Sequence, residues 1–559
     1  MKTLRKYLLM FMVLSISNSC GEKFLLETPL DTLTTNNAFL TAADFNASVN
    51  DLYALVRQEF YTGDGAMNWL YKTDLVIDLQ RTEANLTANF VPTAGWIASK
   101  WTNLYKIVAE SNTILARLPN SKVMDPEKPL FEAKAKFFRA FAHRALAYLF
   151  GDVPLVTEEV VGEKIDFTRV ARKEVYKQAI ADLTFSAQNL KRITAVKDGE
   201  ISNLAALHLL AEVYLADGQH SKAIEAATAV IDDPSVALMK ARFGSRTSVT
   251  PGDVYWDLFQ IKNQNRASGN KEGIWVIQME TDIVGGSALS NSTHGAYVLE
   301  RTYAPLVRDF RVRGISPFSW PAGDYTGGRG VGFMGSSQYF MYDAWRNAGN
   351  DIRNANHNFV RKFKSNNKRS PFFGKEIDFD NLPPGSSGAN GPMTSRKPDR
   401  VLYAYQSKCT QPFNHPAALY NNPPSFPYQL TNSAGATYAD QYMFRLAETY
   451  LLRAEGYLGL GLTGKAADDI NVVRGRSGAA DVSPAHVTID YILDERMREL
   501  GVEERRMLTL MRLGKLYDRL KLIAYYSKTA QPHHNLWPIP RTEIERNRGA
   551  KLEQNQGYN

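Results

Sequence analysis

Hydrophobic residues recur at helical intervals over much of the chain. Residues 101–118 and 132–150 each carry apolar side chains three or four positions apart, which places those side chains on one face of an α-helix. They are Leu104, Ile107, Val108 and Leu115 in the first segment and Phe138, Phe141, Ala145 and Leu149 in the second. The pattern predicts two amphipathic helices that bury these faces against neighbouring elements.

Two further segments, near 201–231 and 444–476, repeat one arrangement of small residues. Each has an alanine three positions before a tyrosine, a glycine four positions after it and a second alanine nine positions after it. The residues are Ala211, Tyr214, Gly218 and Ala223 in the first segment and Ala454, Tyr457, Gly461 and Ala466 in the second. Small residues at these offsets allow two antiparallel helices to approach closely while the tyrosine fills the space between them, as in a tetratricopeptide (TPR) repeat. We therefore predict two TPR-like hairpins.

The pattern changes between about residues 240 and 440. Gly, Pro, Asn and Ser cluster there, strand-like runs such as 273–278 are short, and residues 363–400 show almost no helical periodicity. Long irregular segments in a compact protein tend to be functional or disordered. The predicted fold class is mostly α: an α/α superhelix of TPR-like hairpins that carries an irregular, loop-rich variable layer with a few short strands.

The N-terminus has the layout of a secretory signal. Three basic residues precede an apolar run at 7–14, which is too short to span a bilayer, and the chain then reaches Ser19 and Cys20. A small residue directly before Cys20 predicts removal of residues 1–19 and lipidation of this cysteine. Ser17 departs from the leucine usual in lipoprotein signals, and an ordinary secretory signal with an incidental cysteine is the alternative.

Composition restricts the possible partners and the source of stability. The chain has only two cysteines, so lipidation of Cys20 would leave Cys409 without a disulfide partner, and stability must come from burial. The formal charge falls from +8 to +5 when the three basic residues of the signal are removed. Acidic residues interleave the basic ones, and no basic block with aromatic residues occurs, so nucleic acid is not a predicted partner.

Two glycine-rich stretches match nucleotide-binding patterns without the required context. Residues 459–466 fit GxxxxGK, but Ala466 stands where magnesium coordination needs a hydroxyl, and the stretch follows a helix instead of a strand. Residues 330–335 fit GxGxxG within a glycine-rich loop. We interpret the first as a helix turn and the second as a chance match.

The sequence contains no motif that indicates catalysis. HExxH, CxxC and GxSxG patterns are absent. Carboxylates such as Asp64, Asp74, Asp78, Asp324 and Asp343 occur, but their spacing cannot show a pair across a glycosidic bond. We predict a protein that is not an enzyme and needs no cofactor or metal; a structural calcium ion is not readable from the sequence.

Aromatic residues in loops are the remaining functional signal. Sugar rings have apolar C–H faces and hydroxyl edges, so a carbohydrate site needs flat aromatic platforms and polar partners. Trp101, Trp275 and Trp537 have the context of core residues, and the helical spacing of Tyr339, Tyr342 and Trp345 also favours the core. Trp320 instead lies among proline and glycine residues, which indicates a loop.

The predicted ligand site is centred on this loop. Trp320 and Tyr325 are the candidate platforms, Asp324 the candidate acceptor for sugar hydroxyls and Arg329 the candidate donor. Secondary candidates are Trp69 with Asn68 and Tyr71, and Trp96 near the start of a helix, because loop positions often carry function.

Charge is dense near the C-terminus, where Glu495 and Glu499 lie four positions apart on a predicted helix. Like charges at this spacing destabilise a helix by roughly 0.2–0.5 kcal/mol unless cations neutralise them. Arg496, Arg506 and Arg512 are the candidate cations. The stretch therefore predicts a structural ion-pair network.

The amino-acid sequence of this region resembles the signature of the SusD/RagB family of surface nutrient-binding lipoproteins. It reads ILDERMRELGVEERRMLTLMRLG over 492–514, LWPIPRTEIERN over 536–547 and LEQNQGY over 552–558. The chain departs from the family in having Glu503–Glu504 where Glu-Gly is usual and Thr509 where Asp is common. Segments at 24–31, 101–115, 132–155, 201–231, 342–359 and 444–461 resemble the family in the expected order.

This resemblance implies a single SusD-like domain over 20–559, with a variable ligand-binding region at about 240–440. It implies a lipid-anchored protein on the cell outer membrane that captures an oligosaccharide and hands it to a SusC-like TonB-dependent transporter. The alternative within the same architecture is peptide capture, as in the RagB branch. A surface glycoside hydrolase would need a carboxylate pair in a cleft. A plain TPR adaptor is disfavoured by the secretion signal.

Overall fold

Helices account for most of the regular structure in the computed structural model. The structure describes residues 39–80, 84–281, 283, 286–290, 296–397, 399–421 and 426–558. The predicted signal peptide at 1–19 and Cys20 lie outside the described residues. In chain order the helices are α1 (Ala42–Tyr61), α2 (Leu86–Asn89), α3 (Gly95–Arg117), α4 (Lys128–Phe150), α5 (Arg172–Asn189), α6 (Asn203–Ala216), α7 (His220–Ile231), α8 (Val254–Asp257), α9 (Leu299–Tyr303), α10 (Gln338–Met341), α11 (Leu446–Gly459), α12 (Thr463–Arg476), α13 (Ile489–Glu499), α14 (Arg506–Arg512), α15 (Leu516–Lys521) and α16 (Arg541–Arg546).

The strands are short and pair antiparallel in small sheets. They are β1 (Val76–Asp78), β2 (Gly273–Ile277), β3 (Arg311–Val312), β4 (Met334–Ser336), β5 (Phe359–Val360), β6 (Lys362–Lys364), β7 (Glu376–Asp378), β8 (Ser386–Gly388), β9 (Gly391–Pro392), β10 (Tyr405–Gln406) and β11 (Gln441–Arg445). β1 pairs with β4, β2 with β11, β5 with β10 and β6 with β7, while β8 lies between β3 and β9. The first of these pairs joins the helical part of the chain to the irregular layer.

The long helices form a continuous stack although the chain is interrupted within it. Consecutive helices from α3 to α7 pack against each other, α7 then packs against α11, and α11 packs against α12. Residues 232–445 are therefore inserted between two neighbouring helices of the stack. This confirms the predicted fold class of a helical scaffold that carries a loop-rich layer.

The two predicted hairpins are present and share their turn geometry. α6 and α7 form the first hairpin, and α11 and α12 form the second. Gly218 and Gly461 have φ values of 74° and 73°, in the left-handed region that glycine adopts without strain. In each turn the residue after the glycine donates its amide to the carbonyl of the motif tyrosine, at 2.8 Å in the first hairpin and 2.9 Å in the second. The GxxxxGK match at 459–466 is thus the second turn, as interpreted from the sequence.

The hairpins pack against each other through small residues. The four motif alanines are at most 1% exposed. A Cβ atom added at Gly459 would lie 2.5 Å from the His220 ring, and one added at Gly456 would lie 2.9 Å from Ile224, so α11 approaches α7 too closely for larger side chains. The two motif tyrosines are only half-buried and lie at the hairpin edge, where Lys222 covers Tyr214 and Lys465 covers Tyr457, each at 5.6 Å.

Ala466→Trp is expected to lower the free energy of unfolding by about 1–3 kcal/mol or more, because a ring inserted into close packing displaces its neighbours. Ala466 is fully buried. Ala223→Trp is expected to act in the same way. Thermal melting of both variants is the measurement, and Asp468→Trp, at an exposed position of the same helix α12, is the matched control. Unchanged melting temperatures for the alanine variants would show that these hairpins are not closely packed.

The main core lies between the helices and the inserted layer. Trp275 of β2 packs its ring edge-on against Phe137 at 5.5 Å and Phe141 at 5.6 Å, both on α4. Trp101, Trp275 and Trp537 are 4%, 1% and 0% exposed, which confirms their prediction as core residues. No helix in the described part of the chain is long and apolar enough to cross a membrane.

Candidate functional site

The leading sequence candidates lie on one loop of the inserted layer, residues 320–330. The loop is closed by the amide of Ala322, which donates to the carbonyl of Gly328 at 3.3 Å. Gly327 and Gly328 have positive φ, and a Cβ atom added at Gly328 would lie 2.4 Å from a carboxylate oxygen of Glu300. This glycine pair therefore packs tightly onto the residues around α9, which fixes the position of the loop.

Trp320 stands at the start of this loop with its ring half-buried. Its Nε1 donates to the carbonyl of Gly330 at 3.0 Å, which fixes the orientation of the indole. The guanidinium groups of Arg308 and Arg329 lie 4.9 Å and 5.6 Å from the ring centroid. The structure thus brings Trp320 and Arg329 together as the site hypothesis requires, and it adds Arg308, which sequence reasoning missed.

Tyr325, in the middle of the same loop, forms part of an aromatic group. Its half-buried ring meets Phe413 edge-on at 5.9 Å, and Phe413 meets Tyr428 at 4.6 Å. Phe413 and Tyr428 are 41% and 39% exposed. Burial raises the pKa of Tyr325 to about 12, although Arg246 opposes this effect, so its hydroxyl stays protonated and able to donate. We call Tyr325, Phe413 and Tyr428 the aromatic trio.

The backbone at Phe413 is held in an unusual conformation. Its φ is 60°, in the left-handed region that large side chains rarely adopt. Its amide donates to the carbonyl of Gly323 at 2.6 Å, and the amide of Gly323 donates to the carbonyl of Tyr428 at 2.8 Å. Such strained, exposed residues cluster at functional sites. Phe413 and Tyr428 were missed because each lies about a hundred residues from Trp320, in a stretch without periodicity.

Asp324 has a different environment from the one predicted. Its carboxylate accepts hydrogen bonds from the amide of Thr326 at 2.8 Å, from the hydroxyl of the same residue at 2.5 Å and from Asn366 at 2.7 Å. These donors hold the loop in shape and occupy most of the carboxylate's capacity. Contact between Asp324 and a ligand stays a prediction.

Trp69, a secondary candidate, lies in the core. It ends a 3₁₀ turn at Asp64–Trp69 that reads as a loop in the sequence, yet its side chain is 0% exposed. The ring stacks on Phe60 at 4.6 Å and lies under Lys100 at 4.6 Å, while Nε1 donates to the carbonyl of Glu59. In this structure the ring presents no surface to a ligand, since the turn packs onto α1. The adjacent Asn68 is half-buried.

Tyr71 and Trp96 form a second half-buried aromatic group around a lysine. The Lys72 ammonium lies 5.6 Å from the Tyr71 ring centroid and 5.0 Å from that of Trp96. Trp96 also meets Trp537 edge-on at 5.0 Å. The structure therefore brings these two candidates together, with one side against the core.

Helical spacing at 339–345 predicted three core residues, and only one of them is buried. Trp345 is buried, at 6% exposure. Tyr339 and Tyr342 are half-buried, and their hydroxyl groups donate to Asp494 and Asp380, each at 2.9 Å. The apolar parts of these tyrosines thus pack inward while their hydroxyl groups reach carboxylates.

The predicted ion-pair network is present, but the predicted partners of its two glutamates are wrong. Glu495 pairs with Arg353, Arg474 and Arg498, and Glu499 pairs with Arg353, Arg445 and Arg476. Arg496 pairs instead with Glu448 and Glu504, Arg506 with Asp74 and Glu504, and Arg512 with Glu455. Helical spacing identified the repelling pair, but the neutralising arginines come mostly from distant segments.

Electrostatics in this network are governed by competition between burial and ion pairing. Burial alone would raise the pKa of Glu495, but Arg353, Arg498 and Arg474 outweigh it and lower the pKa to about 2. The pKa of Glu499 is likewise held well below its usual value. Both carboxylates therefore stay charged in the interior, which identifies the family-like signature as a structural element.

Glycine spacing at 330–335 also has a structural reason. Cβ atoms added at Gly330 and Gly332 would lie 2.4 Å from the carbonyl oxygen of Ala304 and 2.2 Å from that of Arg400. These glycines allow backbone segments to touch. Within the described ranges, no group of three or more His, Cys, Asp or Glu side chains is placed to hold a metal ion.

Comparison with known proteins identifies the family. Residues 271–558 match the model of the SusD family, and residues 21–215 match a model described as "Starch-binding associating with outer membrane". The chain is 25% identical over 585 residues to SusD-like protein P2 of Formosa agariphila, covering 99% of this chain and 100% of that protein.

Solved structures show the same fold. A laminarin-binding SusD-like protein has a TM-score of 0.66 and 20% identity, with 93% of this chain and 100% of that chain covered. Surface glycan-binding protein A from Bacteroides thetaiotaomicron has a TM-score of 0.66 and 20% identity, with 93% and 99% covered. The family model matches more than half of the chain. The resemblance seen in the C-terminal signature is thus confirmed, and the chain belongs to the SusD family.

Proposed function

We propose that this protein captures an oligosaccharide at the cell surface and passes it to a partner TonB-dependent outer-membrane transporter, without catalysing a reaction on it. The observation that carries the proposal is the loop at 320–330, which presents the half-buried rings of Trp320 and Tyr325, the second of them packed against Phe413 of the aromatic trio. Membership of the SusD family, a family of glycan-binding proteins, supports the same function.

The geometry suits a sugar chain better than a small apolar molecule. Exposed or half-buried rings provide flat surfaces for the C–H faces of successive sugars, and neighbouring polar groups can bind the hydroxyl edges. Phe413 and Tyr428 keep a large part of their surface exposed, whereas the tryptophans of the core do not. With the aromatic trio included, the proposed site comprises residues from three loops, those that carry Tyr325, Phe413 and Tyr428.

Delivery and anchoring complete the proposal. The family model that matches residues 21–215 describes proteins associated with the outer membrane. Lipidation at Cys20 would hold the chain at that membrane, and a SusC-like transporter would be covered by this protein as by a lid. Recognition and import would then be coupled by movement of one protein against the other.

Trp320→Ala is the test of the site. If the ring stacks on a sugar, its removal should cost about 1–3 kcal/mol of binding free energy, which corresponds to an affinity loss of about tenfold or more. A glycan array would first identify a bound oligosaccharide, and calorimetry would then compare the variant with the natural protein. The melting temperature of the unliganded variant should change little.

The matched control is Tyr214→Ala. Tyr214 is also a half-buried aromatic residue, but it lies at the edge of the first hairpin. Its loss should lower the melting temperature and leave the affinity unchanged. Full affinity in folded Trp320→Ala would remove Trp320 from the site. Binding of peptides in place of any glycan would favour the RagB-like alternative.

A further inference from the structure

Four arginines lie against two half-buried rings of the inserted layer, Trp320 and Phe333. Arg308 and Arg329 lie 4.9 Å and 5.6 Å from the Trp320 ring centroid. Arg301 and Arg400 lie 5.7 Å and 5.4 Å from the Phe333 ring centroid. We call these four residues the arginine cluster. Its members come from three separate segments, so the fold and not the sequence brings them together.

Several buried donors of the cluster have no hydrogen-bond acceptor. Nε and Nη1 of Arg329 and Nε of Arg301 are buried and make no hydrogen bond. A buried donor without an acceptor costs roughly 1–3 kcal/mol, and more when it is charged, so such groups are rare without a functional reason. Arg400 differs, because its Nε and Nη2 both donate to the carbonyl of Val331.

The nearby carboxylates do not neutralise Arg329. Glu300 accepts from the backbone amide of Arg329 at 3.1 Å, but its other oxygen accepts from Thr410 at 2.6 Å and faces Nε2 of His415 at 2.8 Å. Asp309 pairs with Arg308 at 3.1 Å. Burial and then the positive charges of Arg301 and Arg308 lower the pKa of Arg329, and the attraction of Glu300 only opposes them.

Two fully buried arginines elsewhere in this protein, Arg353 and Arg506, are paired with carboxylates. Arg353 binds Asp351, Glu495 and Glu499, with all of these side chains at 0% exposure. Arg506 binds both oxygens of Asp74 at 2.8 Å. Among the described residues, by contrast, no carboxylate forms an ion pair with the side chain of Arg301 or Arg329 in the arginine cluster.

We infer that the glycan received at this site is anionic: Arg329, flanked by Arg301 and Arg308, binds a sulfate ester or uronate carboxylate while the sugar ring contacts Trp320. This inference rests on the proposed function and specifies its ligand. The planar guanidinium fork matches two oxygens of a sulfate or carboxylate group, and such charge-assisted bonds are the stronger ones. A neutral sugar would leave the buried donors without a charged acceptor.

Matched oligosaccharide pairs test the inference on the purified full-length protein. One pair consists of sulfated galactan oligosaccharides and the same material after chemical desulfation. The other consists of alginate oligosaccharides, which carry uronate, and the same material after carboxyl reduction. In at least one pair, calorimetry should show the charged member binding about tenfold more tightly or better. The preference should shrink as salt is added. The pair that shows it identifies the anionic group.

Arg329→Gln should abolish this preference, so that the charged member of the pair binds no more tightly than its neutral counterpart. Arg546→Gln, in α16 with a side chain 77% exposed, removes the same charge elsewhere and should have no effect. If Arg329→Gln does not fold, Arg308→Gln at an exposed position should reduce the preference in the same direction.

The outcomes separate this inference from the proposed function. Equal affinity for charged and neutral members of both pairs would overturn the inference and leave glycan capture standing. An equal loss for both members in Arg329→Gln would show that the arginine only holds the loop, and would also overturn it. Binding of no oligosaccharide of either kind, together with no binding on the glycan array, would overturn both proposals.

Discussion

Glu499→Gln is expected to lower the free energy of unfolding by about 3–5 kcal/mol, because it removes one member of a buried ion-pair network. The Glu499 side chain is 0% exposed and accepts from Nη1 of Arg353 at 3.0 Å, from Nη1 of Arg445 at 2.7 Å and from Arg476. A neutral amide at this position leaves three buried guanidinium groups with one fewer negative charge. The amide would also direct N–H donors at them.

Chemical denaturation of the purified variant measures this effect through the shift of the unfolding midpoint. Glu545→Gln is the matched control, since Glu545 is 59% exposed and pairs with Arg541, itself 66% exposed. Exposed pairs contribute about 0–1 kcal/mol, so the control should unfold nearly as the natural protein does. Similar small shifts for both variants would mean that the Glu499 network adds little to stability.

Glu504→Gly is expected to cost a similar amount, and Thr509→Asp is expected to restore part of it. The Glu504 carboxylate accepts from Nε of Arg496 at 2.6 Å, from the hydroxyl of Thr509 at 2.8 Å and from Nη1 of Arg506 at 3.0 Å. The family signature that this region resembles usually has Gly where Glu504 stands and Asp where Thr509 stands. In this chain the carboxylate belongs to Glu504 instead, and it accepts a hydrogen bond from Thr509, the residue that stands in place of the aspartate.

A double-mutant cycle with denaturation midpoints tests this exchange. Glu504→Gly alone removes the charge that faces two buried arginines and should lose about 3–5 kcal/mol. The double variant should recover at least half of that loss. Thr509→Asp alone places two carboxylates side by side and should also destabilise. Additive losses in the double variant would show that the two positions do not share one role.

Local spacing predicted the helical part of this fold well. The offsets around Tyr214 and Tyr457 gave both hairpins, because the close approach of two helices depends on small residues at fixed intervals within one segment. Segments that resemble the family, in the expected order, predicted the architecture. Residues flanked by apolar neighbours, such as Trp275, lie in the core. The turn predicted at 459–466 is confirmed, because a glycine at positive φ is a local requirement of the chain.

The candidate site was predicted less completely. Proline and glycine around Trp320 correctly indicated a loop, and Arg329 does lie beside the ring. The surroundings of Asp324 depend on Asn366, which lies 42 positions away, so sequence could not show that its carboxylate is already bound. Trp69 has loop-like neighbours, but its exposure depends on how the 3₁₀ turn packs against Phe60 and Lys100.

By itself the sequence determined the properties that act over a few turns of chain: the hairpins, the turns, the segments of the scaffold and the presence of a charged structural signature. Tertiary structure alone decided which arginine neutralises which glutamate, and which aromatic and basic side chains meet around the loop at 320–330. The reason is that residues 232–445 are inserted between two helices that touch. Contacts of this inserted layer join distant segments, such as those that carry Trp320 and Phe413, and no periodic pattern along the chain records them.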